Sequence, residues 1–257
     1  METDPSPAPR GNVAHYARDA EEYEYTPSPE SELGQIERRR AELLLRLAGL
    51  DAPRADAAAA GAVADLGIGG GQLLGMMAQR GLRPLGLDLA WRNCVRARGA
   101  RPALVRGARL LAGDLYALPL PNACLRVAVV SEVLEHLEDP AAAMREIGRV
   151  VRPGGLIVAS CPWRERLVWH LCIHCNRPTP ANAHLHSVSE SLMAGWMRGA
   201  GFEPGRPVRF NHKALVALRW SRRTGRLPHG VWRAGDALAM ALWRKPYHFA
   251  IVGRKKG

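Results

Sequence analysis

Between residues 62 and 161 of the 257-residue chain, short apolar runs alternate with helical stretches, and this alternation limits the fold more than any other feature. AVADL (62–66), RPLGLDL (83–89), ARLLAGD (108–114), CLRVAVVSE (124–132) and GLIVASC (155–161) read as strands. GQLLGMMAQRG (71–81), AWRNCVRARG (90–99) and PAAAMREIGRVV (140–151) read as the helices between them. Parallel neighbours need crossover connections, so this order implies an α/β fold with a mostly parallel sheet and helices on both faces. Ser31 to Leu50 forms a preceding helix, with Leu33, Ile36, Leu43, Leu44 and Leu47 at helical spacing. Residues 51–60 link it to the first strand. Further on, Ser187 with Glu190 fits a capping box that opens a helix over VSESLMAGWMRGAG. FEPGRPVRFN (202–211) and YHFAIVGRK (247–255) then read as strands, separated by residues 212–245.

The strand ends carry the chemistry. Asp65 closes the first strand, and Gly67, Gly69 and Gly71 follow in a turn that leads into a helix. Glycines there let a ligand approach the backbone closely. A dinucleotide loop would place its third glycine where Gln72 stands, and Asp65 would repel a pyrophosphate. The same carboxylate can hold the ammonium of an amino-acid moiety. Asp88 ends the second strand, where an acid can accept from two ribose hydroxyls or cap the next helix. Asp114 ends the third, where it can accept from an adenine amine or serve as a turn residue. All three acids face the carboxyl edge of the sheet, where open α/β sheets bind ligands.

The segments VADLGIGGG (63–71), GLDLA (86–90), AGDLYALPLPNACLRVAVVSEVLEHLEDP (112–140) and MREIGRVVRPGGLIV (144–158) together resemble class I S-adenosylmethionine-dependent methyltransferases of the type 11 group. The resemblance implies a Rossmann-like seven-stranded sheet, mostly parallel with an antiparallel last strand. It implies a methionine moiety against Gly67, Gly69 and Gly71 with Asp65 near its amino group, ribose on Asp88, and adenine on Asp114 and the Leu115 backbone. Ser131 and Glu132 would close the site beside the methyl group. Ile68 and Gly70 depart from residues common in the family, Cys and Thr, without removing a needed glycine.

Methyl transfer from a sulfonium releases a neutral thioether, so the leaving group needs no proton. The protein must align nucleophile, methyl carbon and sulfur and exclude water. A general base serves only acceptors that lose a proton early. His136 in LEHLEDP is the candidate base, with Glu132 and Glu135 behind it; its other reading is a packing histidine. Tyr16, Tyr23 and Tyr25 sit in an acidic, Pro-rich arm (1–30) that could fold over the cofactor or stay loose. The remaining 31–257 read as one methyltransferase domain.

Two segments remain. HLCIHCNRPTPANAHLH (170–186) lies in an acceptor-side loop (162–186). Cys172, Cys175, His184 and His186 offer two thiolates and two imidazoles, enough for a tetrahedral zinc site; a metal-free substrate-side loop and redox chemistry are the other readings. Residues 212–245 form a basic insertion with Trp220, Trp232 and Trp243 among six arginines. It suits a pocket lid first, a membrane surface second and nucleic acid third. Charge accumulates towards this end of the chain. Residues 201–257 hold 13 basic and two acidic residues, net +11, against +12 for the whole. No run of eighteen apolar residues or secretory signal occurs, and five cysteines without framework spacing fit a reducing, cytoplasmic setting, with peripheral membrane contact through 212–245. The sequence reading is therefore S-adenosylmethionine-dependent methyl transfer to a small-molecule or lipid-like acceptor at O, N or C. Its rivals are an RNA or protein methyltransferase, a nicotinamide-dependent oxidoreductase and a non-catalytic binding protein.

Overall fold

A computed structural model describes residues 27–51, 62–100, 107–171, 176 and 178–257. Helix α1 (Glu32–Leu47) comes first, with the Ser31 side chain accepting from Gly34 N at 3.0 Å as its N-cap. Then follow β1 (Ala62–Leu66), α2 (Gln72–Gln79), β2 (Leu85–Asp88), α3 (Trp91–Ala100), β3 (Arg109–Ala112) and β4 (Leu125–Ser131). Helix α4 (Pro140–Val150) opens on Asp139, whose carboxylate accepts from Ala142 N at 2.9 Å, with Pro140 in the first turn where its missing N–H costs nothing. It runs directly into β5 (Val151–Pro162).

These five strands stand in the order β3-β2-β1-β4-β5, all parallel. After the small hairpin β6 (Trp169–Leu171) and β7 (Pro178–Pro180), the chain forms α5 (Glu190–Gly199). Strands β8 (Phe202–Pro204) and β9 (Val208–His212) follow, and β10 (Pro246–Lys255) enters antiparallel between β5 and both of them.

The fold is the expected one with two local differences. The stretch 202–211 supplies two short strands in place of one, giving an eight-stranded sheet. Gly205 N still donates to Val252 O of β10 at 2.7 Å, but Pro207 has no N–H to give to the ladder, and regular pairing resumes only at Val208. Helix α5 is capped by Ser189, which accepts from Leu192 N at 3.3 Å, and not by Ser187.

Alternate residues of the central strands feed two cores. Ala128 and Val130 of β4, with Ile157 and Ala159 of β5, pack towards α4 and α5. Val127, Val129 and Val158 pack with Leu43, Leu44 and Met77 of α1 and α2 on the other face. This period-two division is why the strands read as unbroken apolar runs.

The insertion supplies α6 (Lys213–Ala217), α7 (Trp220–Arg223) and α8 (His229–Leu242). It grips α1. Arg39 is fully buried, with Nη2 donating to Thr224 O and, at 2.8 Å, to Leu227 O. Arg38 donates to Gly225 O at 2.5 Å, and His229 Nδ1 lies 2.9 Å from Glu42. Trp232, 1% exposed, completes the core beneath α1.

Candidate functional site

At the carboxyl edge of β1 and β4 lies a crevice of about 240 Å³. Its wall includes Asp65, Gly67, Gly69, Gly70, Ser131 and Glu132, and α1 closes it with Glu37, Arg40, Ala41 and Leu44. A larger hollow, about 510 Å³, opens at the opposite edge, around the starts of the same strands at Ala62, Leu85, Arg109 and Leu125. Asp65 and the glycine turn line the smaller crevice and not this one, so the chemistry belongs to the smaller crevice.

The turn after β1 requires glycine. Gly67 has φ +86°, and a Cβ there would lie 2.4 Å from Val133 Cγ2. Gly71 has φ +73°, and a Cβ would meet Ala97 Cβ at 2.7 Å. A side chain at either would break the turn or displace α3 or the segment after β4. Gly67 N donates to Leu87 O at 2.7 Å, which locks the loop to β2.

Asp65 is buried, and its Oδ2 has no hydrogen-bond partner. Burial, reinforced by the Asp88 charge, pushes its carboxyl up to about 8. An uncompensated acid at this position is a ready partner for a cation. Asp88 realises its capping role: Oδ1 accepts from Ala90 N and Asn93 Nδ2, both at 3.0 Å, and Oδ2 accepts from Gly69 N at 3.1 Å. It therefore ties the glycine turn to α3 beside the crevice. Burial raises its carboxyl too. Asp114 accepts from Tyr116 N at 2.9 Å. Of the predicted cofactor residues, the structure does not bring Gly71, Asp88, Asp114 or Leu115 into the crevice wall; Asp88 stands behind Gly69, and Leu115 is turned into the core under the edge of the sheet. The adenine assignment rests on the resemblance alone.

Glu132 organises the other end. It sits just after β4 with φ +57°, a left-handed conformation that a long side chain adopts only where its surroundings impose it. Ser160 Oγ donates to its Oε1 at 2.9 Å, and Ser131 Oγ lies 3.1 Å from Ser160 Oγ. His248 Nε2 lies 3.2 Å from Oε2, and Arg40 Nη1 is 4.0 Å away. The Asn211 side-chain amide lies 3.1 Å from His248 Nδ1 and orients the ring so that Nε2 faces Glu132. Burial works to raise the Glu132 carboxyl, but the charges and hydrogen bonds of His248, Arg40 and Ser160 outweigh it and hold the group at about 2. A carboxylate held that low orients a ligand better than it removes a proton.

Sequence reading found Ser131 and Glu132 but missed Arg40, Ser160, Asn211 and His248. Their roles depend on α1, β5, β9 and β10 meeting, which no local pattern announces.

The expected base and zinc ligands are arranged differently from the sequence reading. His136 is outside the crevice wall; its Nδ1 donates to Ala183 O at 3.2 Å, and its ring meets His184 edge-on at 4.6 Å. Cys172 and Cys175 lie outside the described residues, as do Tyr16, Tyr23 and Tyr25. His184 and His186 part company. His186 Nε2 donates to Leu137 O at 2.8 Å and its ring packs on Trp196, whereas His184 hydrogen-bonds through Nδ1 to Glu165. Two residues apart on a bent segment, they face different neighbours. Among the described residues, the group close enough to share a metal ion is Glu135, His136 and His184, without His186.

Comparison with known proteins identifies the family. The family described as Methyltransferase domain matches residues 64–159. The chain is 30% identical over 164 residues to the "Probable S-adenosylmethionine-dependent methyltransferase" of Mycolicibacterium smegmatis, covering 63% of this chain and 60% of that relative. It is 32% identical over 169 residues to a ubiquinone biosynthesis O-methyltransferase of Leptothrix cholodnii, covering 62% of this chain and 71% of the relative. The chain belongs to the S-adenosylmethionine-dependent methyltransferases.

Two solved structures share the methyltransferase's fold. One is an S-adenosylmethionine-dependent methyltransferase from Mesorhizobium loti, with TM-score 0.58, 21% identity, and 84% of this chain and 98% of that chain covered. The other is the geranyl diphosphate C-methyltransferase of Streptomyces coelicolor, solved with Mg²⁺, geranyl diphosphate and S-adenosyl-L-homocysteine. Its TM-score is 0.64 at 16% identity, with 96% and 100% covered. The methyltransferase's own crevice fits the family's methyl donor: the orphaned, buried Asp65 Oδ2 can take an ammonium, and Gly69, where a Cβ would meet nothing within 4 Å, leaves the backbone of the turn open to a ligand.

Proposed function

We propose that this methyltransferase transfers the methyl group of S-adenosylmethionine to a small-molecule or lipid-like acceptor. The donor supplies an electrophilic methyl group on a positively charged sulfur. Asp65 and the turn at Gly67 and Gly69 would hold its amino-acid end, and Asp88 its ribose. Glu132, kept ionised by Arg40 and His248, presents an acceptor oxygen to a hydroxyl or amine on the acceptor. Helix α1 excludes water by covering the crevice with Ala41 and Leu44. His136, turned towards Ala183, leaves the orienting role to Glu132.

The choice of acceptor class rests on one observation. On and beside α8, Leu238 (62% exposed), Leu242 (80%) and Trp243 (59%) form an apolar face flanked by Arg244 and Lys245. Such a face suits a lipid-like acceptor or the surface that carries it, rather than a polyanionic chain. The test is incubation of the protein with methyl-labelled donor and separate small-molecule, lipid, RNA and protein fractions of a cell extract. Label is expected in the small-molecule or lipid fraction, with the product mass raised by one methyl. Label confined to RNA or protein overturns the acceptor class. Calorimetry with NADH in place of the donor should give no binding; binding of NADH alone would overturn the donor as well.

A further inference from the structure

The segment after β4 and the loop that returns to it make a second polar site outside the crevice wall. Glu135 lies in a short 3-10 turn (Leu134–His136) and is 1% exposed. Neither carboxylate oxygen has an N–H or O–H donor; the weakly donating, buried thiol of Cys161 is the polar group beside them. A carboxylate in such a place is costly unless a cation joins it. His136 follows it in the chain. His184 arrives from the far loop, held there because Glu135 O accepts from Leu185 N at 2.7 Å and from His186 N at 3.2 Å. One donor atom from each of Glu135, His136 and His184 lies within 4.8 Å of the other two.

The surroundings are those of ligating imidazoles. Nδ1 of His136 donates to the Ala183 carbonyl, and Nδ1 of His184 donates to the Glu165 carboxylate. A backbone or carboxylate acceptor on one ring nitrogen is what fixes the tautomer and direction of the other in metal sites. We propose that Glu135, His136 and His184 bind one divalent transition-metal ion of the zinc type, with Glu165 orienting His184. Two imidazoles and one carboxylate suit zinc, cobalt or iron(II) and are a poor set for magnesium or calcium, which take oxygen donors. Three protein ligands also leave a coordination position open. The metal would pin the 3-10 turn after Glu132 to the loop around Ala183, outside the crevice wall.

The experiment uses the full chain, stripped with a chelator, desalted, and titrated with Zn²⁺ against a chromophoric chelator. One ion per chain is expected to remain after dialysis. Glu135→Gln and His184→Gln should each lose affinity by roughly a hundredfold or more, and Glu165→Gln by about tenfold, as for an outer partner of a ligating histidine. Donor affinity, measured in parallel, should change little and shows that each variant is folded. Co²⁺ added to the unaltered protein gives a reading that needs no variant. Visible bands of a low-symmetry site without the near-ultraviolet sulfur-to-metal band support the ligand set. A strong sulfur band, absence of tight Zn²⁺ binding, or retention of the ion by Glu135→Gln overturns it.

Discussion

Asp65 shows how much one buried carboxyl can determine. Its folded value of about 8 against an ordinary 3.8 means that the folded state keeps a proton the unfolded chain loses. The group is neutral in both states below 3.8, so it has no effect there. Stability should fall as pH rises from about 4 to about 8 and level off above. A donor ammonium reverses the balance by favouring the charged form. Donor binding at pH 7 should therefore release about one proton per chain, read as a dependence of calorimetric enthalpy on the ionisation enthalpy of the buffer. Asp65→Asn should abolish the dependence and weaken binding, and an unaltered protein that binds without proton release would contradict the ammonium assignment. Asp88→Asn keeps a capping side chain for Ala90 while removing the bidentate acceptor, and donor affinity should drop about tenfold or more with little change in melting. Both acids were legible in the sequence because an acid at the end of an α/β strand faces the ligand edge whatever surrounds it. His248 was not, because its meeting with Glu132 depends on where β10 inserts.

At the scale of elements, the strand–helix alternation was readable because buried parallel strands need unbroken apolar runs. The break after Gly205 and the cap at Ser189 were not, since each turns on which backbone donors find partners in three dimensions. Nor did the sequence show that the insertion would serve as a brace for α1. No crevice-lining residue comes from it; Arg38, Arg39 and Glu42 face it while Glu37, Arg40, Ala41 and Leu44 line the crevice. Trp232→Ala should cost roughly 3–5 kcal/mol in chemical denaturation, the usual range for an aromatic cavity, and should also weaken donor binding through α1. A variant that lost stability with donor affinity intact would show that α1 keeps its place without the brace. Burial acts to raise Glu42, yet the hydrogen bond from His229 and the charges of Arg38 and Arg39 hold it at about 2. A lowered acid stabilises above its unfolded value, so this brace should be at full strength above pH 4.5 and be lost as pH falls towards 2. Glu42→Gln should flatten the acid limb of the melting profile over that window.

The whole molecule is electrically lopsided. Its excess of positive charge gathers in the last quarter of the chain, where Leu238, Leu242 and Trp243 stand exposed. No helix among the described residues is long and apolar enough to cross a membrane, so contact with a bilayer would be lateral. Sedimentation with vesicles of anionic lipid should recover the protein, and Leu238→Asp with Leu242→Asp should reduce recovery several-fold. Vesicles of neutral lipid and added salt should do the same. Equal recovery from neutral and anionic vesicles would remove the electrostatic part of the proposal. Arg39 and Arg40 stand side by side in the chain, one fastened to the insertion and the other facing Glu132. That adjacency gives coupling a route, and linkage makes it reciprocal: whatever factor an occupied outer face imposes on donor affinity, a bound donor must impose on attachment at that face.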